Sequence, residues 1–164
     1  MATAYSAEAW TDLFVASAGA SAALTGLLFV AVSVNIKQIL EVDGLPARAL
    51  PTLLMLLSVV VISLVGLIPG QGTTALGLEL LLVGLCFAMG IWILFVRSAA
   101  ATRKHARLEL HLVLIAPGTL PLLIGGASIL AHGGGGLYWI IGGIVGALVG
   151  ASINAWVLLV EILR

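Results

Sequence analysis

Five apolar runs follow one another along this chain, separated by short polar breaks. They cover approximately residues 12–36, 50–68, 74–96, 108–131 and 137–163. Each is about 20 residues or longer, enough to cross a hydrocarbon core of about 30 Å at about 1.5 Å rise per residue. Barrel strands would be about 10 residues of alternating polarity, and these runs are continuous, so the pattern predicts helices. The breaks are chemically distinct. Residues 37–49 form a loop, residues 97–107 are the only substantial polar connection, Pro69-Gly70-Gln71-Gly72 is a tight uncharged turn, and Gly133 to Gly136 form a flexible turn. Pro51 stands near the start of the second run, where a missing N–H is harmless.

Composition agrees. The 164 residues are 62% hydrophobic and 9% charged, whereas a soluble domain carries about 25% charged residues. Too few polar groups exist to cover a water-facing surface, and the expected class is an all-α polytopic membrane protein. No linker marks a second domain, and no internal duplication is visible, so residues 1–164 read as one transmembrane helical domain. A net charge of zero offers no case for a nucleic-acid partner. The single cysteine, Cys86, allows neither an intramolecular disulfide nor a cysteine metal cluster. Residues 1–10 have no basic residue and include Glu8, unlike the positive start of a secretory signal, so the first run reads as a retained membrane helix.

The cations set the expected topology. With five crossings, Lys37, Arg48, Arg97, Arg103, Lys104, Arg107 and Arg164 all fall on one side. Basic residues near helix ends stay cytoplasmic, which places the N-terminus outside and the C-terminus inside. Trp10, Tyr138 and Trp139 then lie at the outer boundary, where amphipathic rings prefer to sit.

Within a bilayer, helices associate by close backbone approach and polar contacts. Gly142, Gly146 and Gly150 form two overlapping Gly-x-x-x-Gly units, with Gly143, Ala147, Ala151 and Ala155 beside them and Asn154 in the same arc. In the first run Gly19, Gly26 and Ser33 recur every seven residues, while Ser17 and Ser21 mark the opposite side. That pattern predicts a central first helix packed on two faces. Whether these glycine faces pack within one chain or between chains is open at this level. Pro117 and Pro121 in the fourth run each free a carbonyl one turn back and predict a kink, either structural or of the kind transporters use.

An intramembrane ionisable residue is a functional candidate. Glu79 lies early in the third run, on a stripe continuing through Cys86 and Gly90 to Arg97. It reads either as a protonatable or cation-attracting group at a pathway mouth, or as a hydrogen-bonded interfacial carboxylate. Asn35, Lys37, Arg97, Asn154 and Glu161 share a depth near the cytoplasmic side and form either a site or a register-fixing network, the simplest version being a Glu161–Arg164 pair. His111 and His132 sit 21 residues apart on one helix, near opposite faces, so they do not make a haem site. No phosphate-binding loop, His-Glu-x-x-His or Ser/His/Asp grouping is present. No catalytic residue, metal ligand or cofactor is therefore expected, and the chain is not read as an enzyme.

Three stretches carry a resemblance: Gly26-Leu27-Leu28-Phe29-Val30-Ala31-Val32-Ser33, Gly136-Leu137-Tyr138-Trp139, and Asn154 through Arg164. They resemble a group of small bacterial integral membrane proteins, some labelled modulator of FtsH protease. The resemblance implies a multi-pass protein of the bacterial plasma (inner) membrane and a partner role with a membrane protease. The resulting expectation is a non-enzymatic membrane accessory or assembly protein, homo-oligomeric through glycine-lined helices. The alternative is a small oligomeric channel or transporter for an ion or small solute, using the fourth run, Glu79 and the Asn154 region.

Overall fold

The computed structural model describes residues 2–41, 46–101 and 106–162, and every regular element among them is helical. The side chains of Arg48, Arg97, Arg107, His111 and Glu161, with all of Arg103, Lys104, His105 and Arg164, lie outside the described residues. Two single-turn 3-10 helices, Ala2–Tyr5 and Ala7–Trp10, lead into α1, Thr11–Val34. Then follow α2 (Ile36–Glu41), α3 (Pro46–Gly66), α4 (Thr73–Ala101), α5 (Ala106–Leu130) and α6 (Leu137–Ile162). Four of the helical stretches are long and apolar enough to cross a membrane: Ala7–Val34, Ala49–Gly66, Thr73–Leu94 and Leu137–Val157. On α5, which has 25 residues, the described apolar stretch is the shorter Ala116–Leu130.

Each long helix runs antiparallel to the one before it. Gly66 of α3 meets the Phe14 ring of α1, and further along the pair Ser21 Oγ donates to the Leu56 carbonyl at 2.7 Å. Gly77, Gly84 and Gly126 set the α4–α5 register against Ile129, Leu123 and Leu81. Gly118, Gly125 and Gly143 set the α5–α6 register against Ala147, Ile140 and Leu122. A ring of α3, α4, α5 and α6 therefore surrounds a core that includes Val59, Ile62, Leu80, Leu122, Ile140 and Ile144. One end of the bundle, here the first end, gathers Tyr5, Trp10 and the two glycine turns. The second end holds α2 and the end of α6.

The expectation of a central first helix is corrected. α1 lies outside the ring, docked on α3 through Phe14, Ser17, Ser21 and Leu28, the four residues it buries. Of its most apolar window 22% is buried, against 56% for α3. The serine side of the helix points inward, and the glycine side, roughly half a turn away, does not. Ser21 is fully buried and supplies a side-chain bond from α1 to the α3 backbone. Replacing it, Ser21→Ala, is expected to lower stability by about 1 kcal/mol and to expose α1 first to proteolysis. Unchanged unfolding in a denaturing-detergent titration would contradict this.

Helix ends depart from the apolar boundaries for local reasons. The first helix stops at Val34 rather than Ile36, because the Asn35 side chain donates to the Ala31 carbonyl at 2.9 Å and its backbone leaves helical geometry. α2 then turns Ile39 inward against Ala49 and Val32. α4 continues to Ala101, past the expected end at Val96, since Arg and Ala propagate a helix beyond the apolar zone. α5 passes uninterrupted through Pro117 and Pro121.

Candidate functional site

The small-residue positions divide into two populations. A Cβ added at Gly143 would stand 2.6 Å from Leu122, and one at Gly146 would strike the Pro117 carbonyl. Gly150 is also buried. These three pack inside the chain. At Gly19, Gly26 and Gly142, by contrast, an added Cβ meets nothing within 4 Å among the described residues, and Ser33 is exposed. The stripe read as Gly142-Gly146-Gly150 is thus split, and the buried face centres on Gly143, Ala147 and Ala151. The open face of α1 carries Gly19, Ala23, Gly26 and Val30.

The contact at Gly146 has a definite cause. Pro121 has no N–H to bond the carbonyl of Pro117 four residues earlier. That carbonyl is the nearest group to Gly146. A proline in α5 and a glycine in α6 thus act together, and the proline spacing serves helix packing.

Glu79 is half-buried and accepts a hydrogen bond from Gln71 Nε2 at 2.5 Å. Gln71 was not singled out by sequence reasoning. Its signal was available: it is the one long polar side chain in an otherwise compact turn, eight residues before the carboxylate. The oxygen of the same amide, Gln71 Oε1, is buried with no hydrogen-bond partner among the described residues. Gln71 also lines a cavity of about 430 Å³ at the first end, with Tyr5, Glu8, Thr11 and Thr73 on its walls. Glu79 is not among the lining residues, so the carboxylate is held behind the turn.

The cluster expected near the second end is not assembled by the side chains described. Asn154 Nδ2 donates to Thr52 Oγ1, joining α6 to α3, while Asn35 caps its own helix at Ala31. Lys37 is exposed on α2. The Arg97 and Glu161 side chains fall outside the described residues. Thr52 is fully buried, and its hydroxyl was not anticipated as the partner of Asn154.

At the first end, Trp10 and Tyr138 meet edge to face, their rings 5.0 Å apart. Trp10 Nε1 donates to the Thr3 carbonyl and Trp139 Nε1 to the Gly134 carbonyl, each at 2.7 Å. Among the described residues no three His, Cys, Asp or Glu side chains are placed to hold a metal ion. No protein-family model, curated protein or solved structure matches this chain.

Proposed function

We propose that this chain is a non-enzymatic assembly protein of the bacterial plasma membrane that associates with a second copy of itself through the open face of α1. The carrying observation is the contrast between glycines. Gly143 and Gly146 are used inside the chain, while a Cβ added at Gly19 or Gly26 meets nothing within 4 Å among the described residues. A glycine in a helix costs about 1 kcal/mol relative to alanine. Lipid chains give no return on that cost, whereas a neighbouring helix does, because close backbone approach is what holds membrane helices together.

In this reading α5 is a fifth span, since its 25 residues reach about 37 Å. The N-terminus is outside and the C-terminus cytoplasmic, because with five crossings the order of the sequence puts all seven Lys and Arg residues on one side. The aromatic cluster of Trp10, Tyr138 and Trp139 fits the opposite, outer boundary. The role implied by the resemblance, partnership with a membrane protease, would use the same face.

The conduit reading keeps one observation in its favour, the polar cavity at the first end, lined by Gln71, with Glu79 hydrogen-bonded to that side chain. Against it stands the interior of the α3–α6 ring, filled by Val59, Ile62, Leu122 and Ile144. Reconstituted protein is expected to show no ion flux above that of empty vesicles. The test of the assembly reading is the double variant Gly19→Ile, Gly26→Ile. Subunit counting in bilayers should show self-association weakened at least about tenfold, or about 1.4 kcal/mol. An unchanged subunit count would remove α1 as the interface, and a lost heterologous partner with an unchanged count would point to the protease role.

A further inference from the structure

The polar cavity at the first end has fixed walls and a definite sign. One wall is the 3-10 segment that leads into α1, with Tyr5, Glu8 and Thr11. The other is the α3–α4 turn, with Gln71 and Thr73. Trp10 Nε1 donates to the Thr3 carbonyl at 2.7 Å and Thr11 Oγ1 to the Glu8 carbonyl at 3.0 Å, which holds the chain on either side of Glu8. Across the cleft, the Leu67 N–H bonds the Leu64 carbonyl and the Ile68 N–H the Val65 carbonyl, closing α3 into the turn. The volume of about 430 Å³ lies within the ~300–1,000 Å³ of small-molecule sites.

Charge chooses the ligand class. Among the described residues of the lining, Glu8 alone carries a formal charge, and no Lys, Arg or His joins it. Three helix ends also reach the cleft: the C-terminus of α3 at Gly66 and the N-termini of α1 and α4 at Thr11 and Thr73. Each end is worth about half a charge. Those of α3 and α4 cancel, and that of α1 offsets about half of Glu8, so the cleft stays negative. The neutral groups add acceptors. Gln71 donates through Nε2 to Glu79, while its Oε1 has no partner among the described residues, so an acceptor on this wall is unused. The Tyr5 ring is of the kind that attracts cations. Leu67, Pro69 and Leu76 contribute apolar surface. A metal ion matches this set poorly, since no three His, Cys, Asp or Glu side chains gather among the described residues. An organic ammonium asks for what is present: one carboxylate, acceptors for its N–H groups and apolar surface for its carbon chain.

We propose that this cleft binds a small organic ammonium cation, with its charged end at Glu8 and its hydrocarbon part against the turn. The inference depends on neither self-association nor the number of membrane crossings.

The test uses the full chain in nanodiscs and saturation-transfer difference NMR with n-butylammonium chloride, the signal of empty discs subtracted. Saturable transfer to the butyl protons is expected. The uncharged n-butanol and the anionic butyrate, of similar length, should show none. Glu8→Gln preserves the size of an exposed side chain and should weaken binding about fivefold, the upper range for a solvent-exposed ion pair. Asp12→Asn removes a neighbouring exposed charge that does not line the cleft and should leave binding unchanged. Absence of saturable transfer overturns the proposal, as does equal transfer to butanol or butyrate. Unaltered binding in Glu8→Gln overturns it too, and equal losses in both variants would assign the effect to diffuse surface charge. The Gly19→Ile, Gly26→Ile variant should bind butylammonium as the unaltered chain does, so either reading can fail alone.

Discussion

Gly146→Ala is expected to destabilise the folded chain by about 2–3 kcal/mol, although it adds a single methyl group to a good helix former. On propensity alone the change should stabilise α6 by up to about 1 kcal/mol. The opposite sign is expected because the new Cβ would overlap the Pro117 carbonyl, and the backbone carbon behind it lies only 2.7 Å away. A flexible side chain would swing aside, but a backbone group yields only if α5 and α6 separate. Separation would also loosen the Gly118–Ala147, Leu122–Gly143 and Gly125–Ile140 contacts, which share one register. Overpacking of this kind costs about 1–3 kcal/mol. Gly19→Ala is the matched control, since nothing stands within 4 Å of its added methyl. Unfolding in mixed detergent micelles should separate the two variants clearly. Equal behaviour would mean that α5 and α6 do not meet at Gly146.

The second large effect is expected at Ser128→Ala, a loss of about 2 kcal/mol. Ser128 Oγ donates to the Gly133 carbonyl and accepts from the Gly136 N–H at 2.8 Å, tying the end of α5 to the start of α6. The connecting turn is unfavourable for ordinary residues: His132, Gly134, Gly135 and Gly136 all have positive φ. Its helix end is closed by the Gly133 N–H on the Ser128 carbonyl and the His132 N–H on the Ile129 carbonyl, the paired bonds of a Schellman stop. Without the hydroxyl, the buried Gly136 N–H loses its acceptor, and an unsatisfied buried donor costs about 1–3 kcal/mol. Amide exchange at Gly136 should accelerate more than exchange in the middle of α6. Loss of stability with Gly136 still protected would assign the effect to packing of Ser128 instead.

Much of the helical layout was legible because it depends on local composition. The apolar runs appear as helices at 11–34, 46–66, 73–101, 106–130 and 137–162, and four of these contain a described stretch long and apolar enough to cross a membrane. The two glycine turns were equally visible, since Gly70 and Gly134 to Gly136 need positive φ and the sequence places glycine there. Asn35 as a helix stop was less visible, because a single polar residue inside an apolar run does not announce which backbone carbonyl it will engage.

The candidate site was legible only as a set of residues. Glu79 and Asn154 were chosen as polar groups inside apolar runs, which is a one-dimensional criterion. Their partners, Gln71 and Thr52, were not, because the Asn154–Thr52 bond joins positions 102 residues apart and Gln71 sits in a turn rather than a span. Glycine spacing likewise identified the right helices and not the right faces. Gly142 and Gly146 belong to one Gly-x-x-x-Gly unit, yet Gly142 is open and Gly146 is packed.

By itself, the order of apolar and polar residues determined that this chain is helical and where its helices lie. Hydrophobic length and charge act through the surrounding medium, residue by residue, so they can be read from one dimension. Tertiary structure alone decided that α1 stands outside the ring and that a carbonyl freed by Pro121 needs Gly146. Those outcomes depend on how each helix is rotated about its axis. Rotation is set by the shapes of neighbours that lie far apart along the chain.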